Sequence, residues 1–317
     1  MPLDPQVANF LQQMAESASE PGPELSLAEQ RRQSDEACLR DAGEPYAVAT
    51  VTDRQIPGPA GAIPLRIYRP EGPGPFPVLV YFHSGGWVFG SIEASDTVCR
   101  ALAKQTPCLV VSVGYRLAPE HRFPAAPEDC YAATAWVATH AGEINADARR
   151  IAVGGDSAGG NLTAAVTLMA RDRHGPALCF QAIIYGETDY YEPGTASYFT
   201  YANDYYLTRD DMIWFWDQYL ARKEDRMNPY AAPLQAADLS NLPPALIITA
   251  EYDPVRDEAE HYARRLQAAG VPVQLSRYKG MIHSFFRMLA IFDQSRHALR
   301  EVTTALAAAF AHTGVSG

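Results

Sequence analysis

Cysteine is scarce: the 317 residues hold five, Cys38, Cys99, Cys108, Cys130 and Cys179, an odd number and never spaced as C-x-x-C. That pattern excludes a disulfide framework and a thiolate zinc site, and reads as buried thiols in a reducing cytoplasm. Positive charge is scarce as well. Twenty-six Lys and Arg stand against 37 Asp and Glu, a formal net charge of −11, and no basic run is longer than a pair. A field of that sign repels nucleic-acid phosphates and anionic lipid, so neither is expected as a partner, and a neutral substrate suits the chain better. Long apolar runs are missing. The longest, around Pro77–Phe82, Cys108–Val113 and Ala245–Ala250, are far too short to span a bilayer. Met1-Pro2-Leu3-Asp4-Pro5-Gln6 offers neither a basic stretch nor an apolar one behind it, which speaks against secretory export.

What is present is a globular composition. Hydrophobic residues make up 47%, enough for a sizeable core, with 24 Pro and 22 Gly spread along a chain long enough for one large or two ordinary domains. A helical stretch from Asp4 to Met14 is followed by a break at Glu20-Pro21-Gly22-Pro23 and a second helix over Ser26–Ala42, where Ser26 and Glu29 have the spacing of a capping box. The period then changes to two. Val48–Thr52 and Ile63–Tyr68 read as half-buried antiparallel strands. Beyond Arg69, short apolar runs alternate with helical segments: Val78–Phe82, Leu109–Val113, Ile151–Val153, Ala182–Tyr185, Leu246–Thr249 and Val273–Tyr278. Strands that are hydrophobic on both faces and separated by helices predict an α/β fold with a mostly parallel sheet covered on both sides. From Glu187 to Arg226 eleven aromatic residues crowd together and interrupt the alternation. Most of them are expected to pack an inserted helical lobe onto the body, and a few to line a pocket beneath it.

Chemistry concentrates at the strand ends. Ile151-Ala152-Val153-Gly154-Gly155-Asp156-Ser157-Ala158-Gly159-Gly160 runs from a buried strand into G-x-S-x-G and then into a helix of small residues. A serine on such a turn projects its hydroxyl above the sheet, and the helix behind it aims N–H groups at any oxyanion formed there. The rival glycine-loop readings fail: Asp156 stands where G-x-G-x-x-G needs its second glycine, and Gly160 where a phosphate loop needs lysine. A nucleophilic serine needs a base, and the base an orienting acid. His121, His140, His174, His261, His297 and His312 fall in helices, a polar loop or the tail and read as surface groups, whereas His283 follows a strand in a loop at the edge where a parallel sheet carries its chemistry. For the acid, Pro254 starts a helix that puts Asp257 and Glu258 in its first turn, where they stabilise the dipole. Asp253 and Glu251 remain in the loop, with Asp253 favoured. Finally, His83-Ser84-Gly85-Gly86-Trp87 follows a strand with paired glycines able to present unpaired N–H groups.

Together with Tyr115-Arg116-Leu117-Ala118-Pro119-Glu120-His121, Phe123-Pro124-Ala125-Ala126, Asp253-Pro254-Val255-Arg256-Asp257-Glu258 and His283-Ser284-Phe285, these motifs resemble, in order, those of the hormone-sensitive-lipase-like (family IV) carboxylesterases of the α/β-hydrolase superfamily. The resemblance runs from about Pro64 to the C-terminus. It implies a single α/β-hydrolase domain over 1–317 with a helical cap formed by about 1–43 and 187–226, and a serine esterase acting on short- to medium-chain esters. It further implies Ser157 as nucleophile, His283 as general base, Asp253 as its orienting acid, and the N–H groups of Gly85, Gly86 and Ala158 as oxyanion hole. His83 would brace the glycine loop. No metal or organic cofactor is implied, and the partners implied are a small-molecule ester and a second copy of the chain. A ligand-binding receptor on the same scaffold, or an amidase or lactonase with the same triad, are the alternatives. Two departures stand out. Ser84 replaces the first loop glycine, which would be strained if that position required positive φ, and Ser284 replaces a common glycine.

Overall fold

The computed structural model describes residues 2–17 and 25–312. The proline- and glycine-rich break at 20–23 lies outside the described residues. In chain order the elements are α1 (Pro5–Ser17), α2 (Leu27–Ala42), β1 (Thr50–Gly58), β2 (Gly61–Arg69), β3 (Phe76–Phe82), α3 (Asp96–Gln105), β4 (Leu109–Val113), α4 (Ala125–Thr139), β5 (Ala146–Asp156), α5 (Ala158–Asp172), β6 (Phe180–Ile184), α6 (Ala196–Thr200), α7 (Arg209–Tyr219), β7 (Ala245–Tyr252), α8 (Arg256–Ala268), β8 (Val273–Ile282) and α9 (Asp293–His312).

The eight strands form one sheet in the order β1-β2-β4-β3-β5-β6-β7-β8. β1 pairs with β2 and β2 with β4 antiparallel, and every later pairing is parallel. The sheet is therefore entered through an antiparallel edge, as the change of period predicts. The strand interiors β3, β4 and β6 are buried throughout, because helices cover both faces. Along β3 the side chains alternate: Val78, Val80 and Phe82 pack with α4 and α5, while Leu79 and Tyr81 pack with α3 and α9. α8 extends the first of these layers over β6 and β7 through Tyr262, Ala263 and Leu266. No helix among the described residues is long and apolar enough to cross a membrane.

Several boundaries exceed the apolar runs that announced them. β5 begins at Ala146 rather than Ile151, because Arg149 and Arg150 lie in a partly exposed stretch between the buried Ala146 and the buried run from Ile151. The capping box of α2 forms as expected: Ser26 Oγ accepts from Glu29 N, and Glu29 Oε2 accepts from Ser26 N at 2.9 Å. His312, expected in a tail, instead ends α9. The aromatic insertion sorts itself by depth. Tyr190, Tyr198, Trp216 and Tyr219 are buried, whereas Phe199 and Trp214 are exposed.

α2 is tied to the body by several side chains: Asp35 accepts from Ser91 Oγ at 2.7 Å, Cys38 Sγ accepts from Arg287 at 2.6 Å, and Arg31 makes the most contacts. Arg31 donates to the carbonyls of Val88 and Ala118, both at 2.8 Å, and makes a two-pronged ion pair with Glu120. Bidentate pairing of this kind fixes orientation as well as distance. It holds α2 over the loop after β3, and that loop borders the site.

Candidate active site

β5 delivers Ser157 on a strained turn. The residue has φ 55° and ψ −124°, a conformation an L-amino acid adopts only where its surroundings dictate it. Its N–H donates to Ile184 O at 2.9 Å, and its carbonyl accepts from Gly160 N and Asn161 N, so α5 starts directly behind the hydroxyl. The glycine at 159 is obligatory here: a Cβ there would lie 1.9 Å from the Phe82 carbonyl oxygen. Asp156, before the serine, accepts hydrogen bonds from Tyr81 at 2.6 Å and Tyr185 at 3.3 Å, which pins the turn from the α3–α9 side.

Loops after β8 and β7 bring in the other two groups. His283 Nε2 lies 2.8 Å from Ser157 Oγ, and His283 Nδ1 lies 2.7 Å from Asp253 Oδ2. All three residues are buried. Because a carboxylate only accepts, the proton belongs on Nδ1, which leaves Nε2 free to accept from the serine. Asp253 is held in turn, its Oδ1 accepting from Val255 N at 3.1 Å. Burial works to lower the His283 pKa, but the adjacent Asp253 carboxylate and its hydrogen bond outweigh this and hold it above the ordinary 6.5.

The rival acids are thereby separated. Glu251 lies not in the loop but within β7, where its Oε2 accepts from Gly280 N of β8 at 2.8 Å and ties the two strand ends together. Asp257 and Glu258 do sit in the first turn of α8, but they do more than stabilise its dipole. Asp257 accepts from Ser197 N at 2.9 Å, and buried Glu258 accepts from Thr188 N at 2.9 Å and Asp189 N at 3.3 Å. The reason is tertiary: the chain leaving β6 passes beside this helix start and has unpaired N–H groups to offer. The six remaining histidines are surface groups, five exposed and His140 half-buried on Trp136.

The glycine loop after β3 faces the serine. Gly85 has φ 119°, Gly86 φ 57° and Trp87 φ 62°, whereas Ser84 is not among the residues of positive φ. The condition under which Ser84 would be strained is therefore not met. Ser284, by contrast, stands in the left-handed region at φ 66°. The N–H groups of Gly85, Gly86 and Ala158 donate to no atom among the described residues. His83 is buried, stacked on Tyr115 with ring centroids 4.2 Å apart, and its Nδ1 lies 2.8 Å from Ser84 O. Burial pushes its pKa down to about 4, so it is neutral and holds the loop without exchanging protons near neutrality.

A cavity of about 210 Å³ opens above the serine. Its walls include Ser34 and Cys38 from α2 and Leu207, Asp211 and Phe215 from the α6–α7 segment. Among the wall residues that sequence reasoning missed, one touches the serine. Glu187, buried, has Oε1 2.9 Å from Ser157 Oγ. Nothing in the sequence marks it, since a lone glutamate after a strand has no motif and only the fold brings it to a serine 30 residues away.

A family profile described as alpha/beta hydrolase fold matches residues 79–287. The chain belongs to this family. Among curated α/β hydrolases it is 44% identical over 270 residues to the carboxylic ester hydrolase LipN of Mycobacterium tuberculosis, covering 83% of this chain and 72% of that protein. It is 37% identical over 315 residues to an ethyl acetate hydrolase of Pseudomonas putida, covering 96% of this chain and 99% of that one. Among solved α/β-hydrolase structures, a hyperthermophilic esterase from Pyrobaculum calidifontis superposes with a TM-score of 0.92 at 44% identity, over 97% of this chain and 99% of that chain. The hormone-sensitive-lipase-like resemblance of the motifs is thus a family membership.

Proposed function

We propose that this carboxylic ester hydrolase works through Ser157 as nucleophile, His283 as general base and then acid, and Asp253 as the group that orients and charges the pair. The observation that carries the reading is the unbroken relay from Ser157 Oγ through both nitrogens of His283 to Asp253, with every contact 2.8 Å or shorter. Ser157 Oγ attacks the ester carbonyl while Nε2 takes its proton. The tetrahedral oxyanion is received by the N–H groups of Gly85, Gly86 and Ala158, which have no other partner among the described residues to give up. Nε2 then protonates the departing alkoxide. Water enters, loses a proton to the same nitrogen, and releases the acid.

The substrate we infer is a neutral ester of short to medium chain. The relative named ethyl acetate hydrolase supports this, as do the small cavity and the net charge of −11. We read residues 1–43 and 187–226 as a cap on one α/β-hydrolase domain, a reading supported by the residues of α2 and of the α6–α7 segment that line the cavity. A cap of that kind suits a dissolved ester better than an emulsified triglyceride. The five free thiols suit a reducing cytoplasm. Rates on p-nitrophenyl esters from acetate to laurate test the substrate reading. They are expected to peak at the shorter chains, and a maximum at laurate would overturn it.

Two further outcomes are expected. His283 must be neutral to act as base, and its pKa is raised, so kcat/KM should fall as pH drops, with a midpoint above 6.5. A rate unchanged down to about pH 5 would contradict that role. Gly86→Ala should lower kcat by about 10²–10³-fold with the fold retained. The position has φ 57°, and its new Cβ would sit 2.2 Å from the Phe215 ring, so the loop must shift and carry its N–H groups off target. Stopped assays of the variant against the parent would show it.

A further inference from the structure

Ser157 Oγ carries one hydrogen and faces two groups at bonding distance, His283 Nε2 at 2.8 Å and Glu187 Oε1 at 2.9 Å. When the serine hydrogen points to the imidazole, the contact with Glu187 can be a hydrogen bond only if the carboxyl supplies the hydrogen. The rest of the Glu187 environment agrees. Its Oε2 is buried with no hydrogen-bond partner, and no Lys or Arg forms an ion pair with it among the described residues. An ionised carboxylate there would be desolvated and uncompensated. Burial pushes its pKa up to about 7, against the pull of His283 and of its own hydrogen bonds.

We propose that Glu187 is a fourth catalytic group, a neutral carboxylic acid that donates to Ser157 Oγ and so directs the serine's own hydrogen to His283. The inference rests on Ser157 being the nucleophile. In the first half-reaction the serine hydrogen passes to Nε2, the Oγ–C bond forms, the ester C–O bond breaks, and Nε2 returns the proton to the alcohol. In the second, water gives its proton to Nε2 and its oxygen to the acyl carbon, the Oγ–C bond breaks, and the proton goes back from Nε2 to Oγ. Glu187 keeps its proton throughout, and in the acyl-enzyme its O–H stays on the oxygen that must leave.

Ionisation reverses the arrangement. A Glu187 carboxylate can only accept, so it competes with His283 for the serine hydrogen, and its negative charge stabilises the imidazolium. The charged and titratable groups around it are His283 and Asp253 from the loops after β8 and β7, Glu258 at the start of α8, Tyr198 on α6 and Tyr115 after β4. Asp156 at the end of β5 is taken up by its two tyrosines. Apart from His283 these groups are neutral or anionic, and the one guanidinium that lines the same cavity, Arg287, donates to Cys38 Sγ and Tyr206 OH and forms no ion pair with Glu187 among the described residues.

The test compares wild type, Glu187→Gln and Glu187→Leu on p-nitrophenyl butyrate across pH, with active sites counted by an organophosphate. Wild-type kcat should decline on the alkaline side of neutrality. Glu187→Gln, whose amide donates but does not titrate, should lose that decline while its plateau falls about threefold, a weaker donor having replaced a stronger one. Glu187→Leu should lose about tenfold in kcat with KM little changed. A wild-type rate flat to about pH 9, or an alkaline decline preserved in Glu187→Gln, overturns the role of Glu187. If Glu187→Gln is labelled at Ser157 in full yet keeps the wild-type profile, the role of Glu187 fails and the serine mechanism stands. If no variant is labelled at Ser157, the serine mechanism itself fails.

Discussion

Ser157→Ala is expected to lower kcat on p-nitrophenyl butyrate by about 10⁵–10⁶-fold, to little more than what the oxyanion-binding groups and the cavity accomplish alone. The size follows from the site's construction. Strained backbone, two converging loops and a helix start are all directed at one hydroxyl. The substitution deletes that oxygen and leaves the turn itself intact, because alanine tolerates the φ of 55° no worse than serine does. Far-ultraviolet dichroism and the thermal transition should therefore match the parent while activity is lost. Turnover within tenfold of wild type would remove Ser157 from the chemistry.

Asp253→Asn should cost about 10⁴-fold, far more than Asp257→Asn four residues on. The first change puts an amide where His283 Nδ1 now meets a carboxylate at 2.7 Å. An amide N–H facing Nδ1 moves the imidazole proton to Nε2, where it opposes the serine hydrogen, and the charge that stabilises the imidazolium is gone. Asp257 instead accepts from Ser197 N and pairs with Arg256, contacts that position α6 against α8 and touch no reacting atom. Its amide variant should keep activity within a few-fold of wild type. Steady-state kinetics on the two purified variants decide the matter, and the opposite ordering would reassign the acid.

The parts of this architecture that sequence exposes are those written in local chemistry. The buried strand running into Gly155–Gly159, the paired glycines after β3 and Pro254, which lies in the turn just before α8 rather than starting it, each constrain the backbone within a few residues. Such constraints survive without knowledge of the fold. The α/β class is legible for a similar reason, since strands covered on both faces must be apolar on both. Strand ends are less legible. The partly exposed stretch of β5 around Arg149 and Arg150 has no apolar signature, and the strand's pairing with β3 is long-range.

The roles of Ser84, Glu258 and Glu187 were out of reach for a different reason. Whether Ser84 is strained depends on which residues of the loop turn left-handed, and the structure assigns that to Gly85, Gly86 and Trp87. Glu258 stands in the first turn of α8 as the sequence indicates, but its second role comes from the chain leaving β6, whose Thr188 and Asp189 N–H groups donate to it. Glu187 sits beside the nucleophile because β5 and β6 are parallel neighbours whose ends emerge on the same edge of the sheet. Parallel pairing joins residues far apart in sequence, so a side chain with no motif of its own can still stand at the reacting centre.

The central claim is that one hydroxyl, activated by His283, is the nucleophile. It is tested most directly by treating the protein with a fluorophosphonate ester and locating the adduct by peptide mass spectrometry. The expected result is a single stoichiometric adduct on Ser157, formed rapidly by wild type and lost in a folded His283→Ala variant. An adduct on another residue, or a folded wild-type protein that takes up no label, would contradict the account.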